Sequence, residues 1–291
     1  MRTRPLGPSA PEVSMVGYGG MHLSLADRPA EAESLRVLHA ALDAGMTLID
    51  TADAYCLDAA ETGHNERLIA RALSQWNGPR EQVVVATKGG IVRTAGHWDQ
   101  DGRPAHLRAA CEASLKALGV ERIALYQYHA PDSAVPFDES VGALAELQRA
   151  GKIRWVGLSN VSVDQIRRAE SIVRVTSVQN RLNPFFREAV RDGVVAYCDS
   201  RGIGFLAYSP TGGGRLTKKL PGHPILMEIA GRLGATPHAV CLAWVLAQGK
   251  SVIAIPSARR IEHATDSARA ADLVLSASDV AAITAAEFDR R

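Results

Sequence analysis

Four side chains that can donate, accept or stabilise a proton lie at or just beyond the ends of short apolar runs. Asp50, Lys88 and His129 each follow such a run, and Tyr55 comes five residues after Asp50. Runs of this kind are typical of buried strands, and the carboxyl ends of parallel strands meet at one edge of a sheet. We therefore expect a carboxylate, an ammonium, an imidazole and a phenol to meet where α/β folds place their chemistry.

The four residue types suit proton transfer to an oxygen atom. A phenol has a pKa of about 10, whereas a general acid works best near the operating pH. The ammonium of Lys88 is expected to favour the phenolate of Tyr55 and so to lower the pKa of the phenol. A shift of about three pKa units needs roughly 4 kcal/mol of difference between the interactions of the two protonation states. Asp50 is expected to pair with Lys88, and a neutral His129 to hydrogen-bond the substrate oxygen. Each residue alone could be structural, but the four together favour catalysis.

The elements that would position these residues alternate along the chain. Eight strands are predicted, at residues 13–17, 47–49, 83–87, 123–128, 153–158, 176–178, 204–207 and 252–255. Apolar residues at helical spacing predict helices between and after these strands, at residues 35–42, 66–73, 103–118, 137–149, 162–169, 187–200, 223–233, 237–247, 260–270 and 277–287. This alternation predicts a (β/α)8 TIM barrel forming a single domain over residues 1–291. The alternative, an open doubly wound sheet, would ordinarily carry G-x-G-x-x-G after its first strand, and residues 17–21 lack that spacing.

Two long irregular stretches, residues 89–102 and 210–221, follow strands at the expected active edge. Loops in that position usually contact substrate or cofactor. The first contains Trp98 between Gly96 and Gly102, which predicts an apolar flap over the site. The four residues after the last predicted helix are expected to be too few to reach across the edge, so the flap would have to serve as the lid.

Composition excludes several classes of function. The 291 residues are 46% hydrophobic with a net charge of +2 and no block of basic residues, so neither nucleic acid nor a membrane surface is indicated as a partner. No signal peptide or apolar run long enough to span a bilayer is recognisable. Four scattered cysteines, Cys56, Cys111, Cys198 and Cys241, lack metal-ligand spacing, so we expect reduced thiols in a cytoplasmic protein and no metal site.

Six motifs resemble those of the aldo-keto reductase superfamily, in its order and on the expected strands, from about residue 13 to 289. They are Asp50-Thr51-Ala52-Asp53-Ala54-Tyr55, Ala86-Thr87-Lys88-Gly89, residues 125–132, Gly157-Leu158-Ser159-Asn160, residues 178–184 and Ala207-Tyr208-Ser209-Pro210. The resemblance implies a barrel that binds NADPH without a Rossmann fold and reduces the carbonyl of an aldehyde or ketone. It also assigns Asp50, Tyr55, Lys88 and His129 to the catalytic tetrad of the family.

The resemblance further implies a set of cofactor contacts. Ser159, Asn160 and Gln179 would hold the nicotinamide carboxamide, and Tyr208 would stack on its ring. Glycines after Ser209 would let the backbone approach the pyrophosphate, and the start of the last core helix would take the 2′-phosphate. The remaining implied contacts are Gly20, Met21, Asp50, Pro210, Gly212, Gly214, Leu216, Ile255, Pro256, Ser257, Ala258, Arg259, Arg260, His263, Asp266 and Ser267.

The chain departs from the pattern of the family at several positions. Cys56 follows Tyr55 where glycine is usual, and His263 and Ser267 stand where many relatives carry Arg and Asn. Because His263 replaces the more usual Arg, we expect a weaker preference for NADPH over NADH than in those relatives. Substrate contacts are expected from His22, Leu57, His97 and Trp98, a mixture that suits a polar ring or sugar-like carbonyl.

Two other functions are compatible with the same residues. Some relatives serve as nicotinamide-sensing subunits without significant turnover, although an intact tetrad argues against this. Barrel aldolases also place a Schiff-base lysine at a strand end, which would be Lys88 here.

Overall fold

Eight parallel strands form the barrel in the computed structural model, which describes residues 1–291. Each strand is hydrogen-bonded to its neighbours in chain order. The barrel strands one to eight are Tyr18–Gly19, Leu48–Asp50, Val84–Gly89, Ile123–Tyr128, Ile153–Ser159, Val175–Arg181, Gly204–Tyr208 and Val252–Ile255. The predicted (β/α)8 barrel is confirmed.

Hydrogen bonds between the first and last strands close the barrel. Val16 forms a parallel bridge with Ala254, and the Gly17 amide donates to the Ala254 carbonyl at 2.8 Å. The Gly19 amide then donates to the Pro256 carbonyl at 2.9 Å. Strands one and eight are thereby joined, so no sheet edge stays open there.

The predicted first strand, residues 13–17, is divided between two partners, because Val16 and Gly17 pair with strand eight of the barrel. Glu12–Ser14 instead pairs antiparallel with Thr3–Pro5 in a hairpin that precedes the barrel. Leu6 in this hairpin is fully buried, and its carbonyl approaches Gly204 so closely that a Cβ there would lie 2.1 Å away. The first part of the apolar run therefore belongs to the hairpin, and its second part joins strand eight where the barrel closes.

Helices surround the strands as the alternation predicts. They are Glu31–Asp43, His64–Gln75, Pro104–Leu118, Phe137–Arg149, Val163–Glu170, Glu188–Arg191, Val194–Arg201, Gly214–Thr217, Pro224–Leu233, Pro237–Leu246, Ile261–Arg269 and Ala277–Ala285. The single helix predicted at 187–200 is two helices, because Gly193 adopts a left-handed φ of 78° between them. Ser162 and Ser276 begin their helices with capping boxes.

The two stretches expected to be irregular contain structure. Ile91–Thr94 and His97–Gln100 pair antiparallel as a hairpin at the carboxyl end of the barrel, here called the rim hairpin. Residues 210–221 include the short helix Gly214–Thr217. No single helix has the length and apolarity to cross a membrane, and the bent pair Pro224–Leu233 and Pro237–Leu246 satisfies that test only when taken together. The four cysteines are unpaired and buried.

Candidate active site

Lys88 is the centre of the polar cluster at the carboxyl end of the barrel. Its side chain is fully buried, and Nζ donates to Asp50 Oδ2 at 2.6 Å, to the Thr51 carbonyl at 2.8 Å and to Tyr55 Oη at 2.9 Å. An ammonium has three N–H donors, so every donor of Lys88 is used. Burial lowers the pKa of Lys88, and the Asp50 carboxylate opposes that shift.

Two glutamines hold the other oxygen of Asp50. Gln179 Nε2 donates to Asp50 Oδ1 at 2.7 Å, and Gln127 Nε2 donates to the same atom at 3.2 Å. Gln127 lies beside Lys88 in the strand register and is fully buried. Sequence reasoning missed its role, although a glutamine inside an otherwise apolar strand was a visible signal. These contacts orient the carboxylate toward Lys88.

Tyr55 lies over this pair and is only 6% exposed. Because Lys88 donates to Oη, the phenol hydrogen is free to be donated elsewhere. Burial raises the pKa of Tyr55 well above its usual value, with further contributions from Asp50, Tyr208 and Asp53. The expectation of a lowered pKa is therefore wrong for this structure, since burial outweighs the neighbouring ammonium. The phenol is held in its proton-bearing form.

His129 faces Tyr55 from the end of the fourth strand. The two rings meet edge to face with centroids 5.8 Å apart. Burial, and the charge of Lys88 secondarily, lower the pKa of His129 well below its usual value, in agreement with the expected neutral imidazole. Its Nδ1 is buried without a hydrogen-bond partner. The structure thus brings all four predicted tetrad residues together.

A cleft of about 1090 Å³ runs from this cluster along the carboxyl ends of the last strands. The predicted residues that line it are Met21, His22, Asp50, Tyr55, Trp98, His129, Ser159, Asn160, Gln179, Tyr208, Ser209, Pro210, Gly214, Ile255, Pro256, Ser257, Ala258, Arg259, Arg260, His263, Asp266 and Ser267. Those outside the lining are Gly20, Leu57, Lys88, His97, Gly212 and Leu216. Lys88 lies beneath Tyr55. The other five residues were expected to contact cofactor or substrate and do not line the cleft.

These corrections follow from how the loops fold. Leu57 and His97 are exposed away from the cleft. Leu216 is buried in the core, and a Cβ at Gly212 would lie 2.9 Å from it, so both positions pack inward. The adjacent Gly19 and Gly213 line the cleft in place of Gly20 and Gly212.

The residues predicted to hold the nicotinamide also bond one another. Asn160 Nδ2 donates to the His129 carbonyl at 3.0 Å, and Tyr208 Oη donates to Asn160 Oδ1 at 2.9 Å. Asn160 has a φ of 58°, which asparagine tolerates better than most residues. Because the Gln179 amide nitrogen is occupied by Asp50, its oxygen is the atom left for a ligand. The network fixes a half-buried tyrosine ring at the cleft wall.

The far end of the cleft is basic. Arg259 and Arg260 are both exposed at the start of the helix Ile261–Arg269. Arg259 Nη1 donates to the Asp27 carbonyl at 3.0 Å, and its charge is one reason that the pKa of His22 is lowered, after burial. His22 thus lines the cleft within reach of the charge of Arg259.

Several lining residues were not predicted. Asp27 and Pro29 come from the loop after the first barrel strand, and Thr217, Lys218, Pro221 and His238 come from the seventh crossover. No periodicity in the sequence marks them, since their placement depends on loop paths. Asp266 reaches the cleft but accepts a hydrogen bond from Thr236 Oγ1 at 2.6 Å.

Trp98 lines the cleft next to Tyr55. Its ring meets Tyr55 edge to face at 6.4 Å between centroids, and it is 45% exposed. Its position beside the phenol agrees with the expected apolar flap.

The carboxyl-terminal residues lie away from the cleft. Phe288 stacks on His223 with ring centroids 4.0 Å apart, and Lys219 Nζ donates to the Asp289 carbonyl. These last residues contact the loop at 210–221 and do not line the cleft. No group of three or more His, Cys, Asp or Glu side chains is arranged to hold a metal ion.

Comparisons with known proteins agree on one family. Residues 15–287 match the model of the aldo/keto reductase family. The probable aldo-keto reductase 1 of Glycine max is 36% identical over 305 residues, covering 94% of this chain and 86% of that protein. Among solved structures, a thermostable aldo-keto reductase in complex with the inhibitor epalrestat superposes with a TM-score of 0.81 at 29% identity, covering 98% of this chain and 99% of that one. An aldo/keto reductase from Klebsiella pneumoniae in complex with NADP and acetate superposes with a TM-score of 0.81 at 28% identity, covering 97% of this chain and 93% of that one.

Proposed function

This chain belongs to the aldo/keto reductase family, and from that premise we propose that it reduces the carbonyl group of an aldehyde or ketone with NADPH. The geometry of the tetrad and the NADP-bound relative support the proposal. The reverse reaction, oxidation of an alcohol, would use the same residues by microscopic reversibility.

The cleft suits an extended dinucleotide phosphate. The Tyr208 ring and the polar ends of strands five and six would hold a nicotinamide. Gly213 and Gly214, which line the cleft with φ of 68° and 46°, allow the backbone to lie close to a pyrophosphate. Arg259 and Arg260 at a helix start would hold the 2′-phosphate, because guanidinium and helix amides both favour an anion.

Tyr55 is the proton donor in this proposal. Bound NADPH would supply the hydride to the carbonyl carbon. Tyr55 Oη would donate its proton to the carbonyl oxygen, and Lys88 would stabilise the phenolate left behind. His129, neutral and facing Tyr55, would hydrogen-bond the carbonyl oxygen and set its angle. Asp50 keeps Lys88 charged and fixed.

The observation that carries the proposal is the contact of Lys88 Nζ with both Asp50 and Tyr55. The test follows NADPH absorbance with purified protein and benzaldehyde. We expect consumption in the wild type and a loss of about 10²–10⁴-fold in Tyr55→Phe, with cofactor affinity nearly unchanged because the ring still packs. A Tyr55→Phe variant that keeps more than half of the wild-type turnover, where chemistry limits the rate, contradicts the assignment.

The alternatives are disfavoured by the same site. A Schiff base would require a neutral, accessible Lys88, whereas its side chain is fully buried with all three donors used. Borohydride trapping of a carbonyl compound on Lys88 would revive the aldolase hypothesis. A sensor without turnover would bind NADPH but fail to consume it with any aldehyde.

A further inference from the structure

Arg93 in the rim hairpin is a buried cation with no anionic partner. The residue is 9% exposed. Nη2 donates to the Leu57 carbonyl at 3.1 Å, whereas Nε and Nη1 are buried without any hydrogen-bond partner. A guanidinium stays charged in proteins and carries five donors. Most of the hydrogen-bonding capacity of Arg93 is therefore unused.

The protein supplies no carboxylate for this charge. Glu61, whose Oε2 accepts from the Leu57 amide at 3.4 Å, already pairs with Arg28 through two contacts of 2.7 and 2.9 Å. A buried charge that lacks a counter-ion and leaves donors unsatisfied costs free energy. Arg93 is thus complementary to an anion that comes from outside the chain.

The position of Arg93 relates it to the candidate active site. Arg93 and Trp98 are cross-strand partners, and the guanidinium Cζ lies 4.0 Å from the Trp98 ring centroid. Trp98 also contacts Tyr55 edge to face, with ring centroids 6.4 Å apart. Trp98 is 45% exposed and lines the cleft, so its ring connects Arg93 with the cleft.

We propose that Arg93 binds a carboxylate on the substrate, at the end remote from the carbonyl that faces Tyr55. Trp98 is the movable wall between the two groups, and its ring stacks on the guanidinium while no substrate is bound. The preferred substrates are then aldehydes or ketones that carry a carboxylate roughly one aromatic ring away from the carbonyl. This inference rests on the proposed reductase function and deepens it by naming a substrate class.

The first test compares two substrates that differ only in charge, para-carboxybenzaldehyde and its methyl ester. We expect wild-type kcat/KM to favour the acid. Arg93→Met should lower kcat/KM for the acid by about 10- to 150-fold and change the ester by less than about threefold, because a hydrogen bond to a charged group is lost only with the acid. Arg103→Met is the matched control, since Arg103 is an exposed arginine nearby that pairs with Asp101.

The second test needs no turnover. Calorimetry measures the binding of benzoate to the NADP-loaded protein, which should weaken in Arg93→Met by a similar factor and be partly retained in Arg93→Lys. Circular dichroism checks that each variant is folded. If Arg93→Met does not fold, Arg93→Lys alone is compared with the wild type.

Each outcome decides the proposal. A purely structural Arg93 would lower kcat/KM for acid and ester alike and leave benzoate binding unchanged, which would overturn it. A wild type that does not prefer the acid would overturn it as well. If neither aldehyde consumes NADPH, the reductase function fails, and benzoate binding still decides whether Arg93 is an anion site.

Discussion

Replacing Lys88 by methionine tests both the stability and the chemistry of the buried pair. Lys88 and Asp50 are 0% and 3% exposed with a 2.6 Å contact, so solvent does not screen them. Removing one partner of such a pair leaves a buried uncompensated charge, which typically costs about 3–5 kcal/mol. Two glutamine donors to Asp50 remain, so we expect the lower part of that range. Loss of the ammonium should also lower the reductase rate by at least about 10²-fold.

The double variant Lys88→Met with Asp50→Asn separates the two effects. It removes the stranded carboxylate and keeps an oxygen that the glutamines can bond, so most of the lost stability should return. The rate should not return, because Tyr55 still lacks its cation. Lys152→Met is the control for stability, since its side chain is 42% exposed and its contact with Glu112 should contribute less than about 1 kcal/mol.

Urea denaturation followed by circular dichroism gives the free energy of unfolding, and NADPH absorbance gives the rate across pH. Without the ammonium, the charge of Asp50 should raise the pKa of Tyr55 further. An unchanged pH–rate profile in Lys88→Met, or a loss of stability no larger than that of Lys152→Met, would refute the reasoning.

Three further predictions concern the cofactor, the pocket and the effect of pH. Arg259→Ala and Arg260→Ala should weaken NADPH binding by about 10- to 150-fold in total and spare NADH, and equal wild-type affinities for the two cofactors would contradict this. Trp98→Ala should alter the relative rates across a panel of carbonyl substrates more than Arg290→Ala, which releases the terminal segment from Phe185; the opposite ranking would contradict it. Because the pKa of His129 lies well below its usual 6.5, kcat/KM should show no ionisation near that value, and an inflection there that His129→Gln abolishes would contradict it.

The sequence determined the architecture and the catalytic cluster because both depend on local periodicity. Alternating apolar runs and helical patterns predicted the barrel, and a parallel barrel brings every strand end to one edge. The placement of Asp50, Lys88 and His129 followed from that rule alone, with Tyr55 five residues beyond. Most of the predicted cofactor contacts line the cleft because they too stand at strand ends.

The tertiary structure decided whatever depends on packing between distant segments. The apolar run at 13–17 is divided between an amino-terminal hairpin and the closure of the barrel, since Glu12–Ser14 pairs with Thr3–Pro5 whereas Val16 pairs with Ala254. The raised pKa of Tyr55 reflects its burial and the charges around it, which no local pattern reveals. Arg93 looked like one of many arginines in the sequence, and only the fold of the rim hairpin left its charge buried beside Trp98 without a partner.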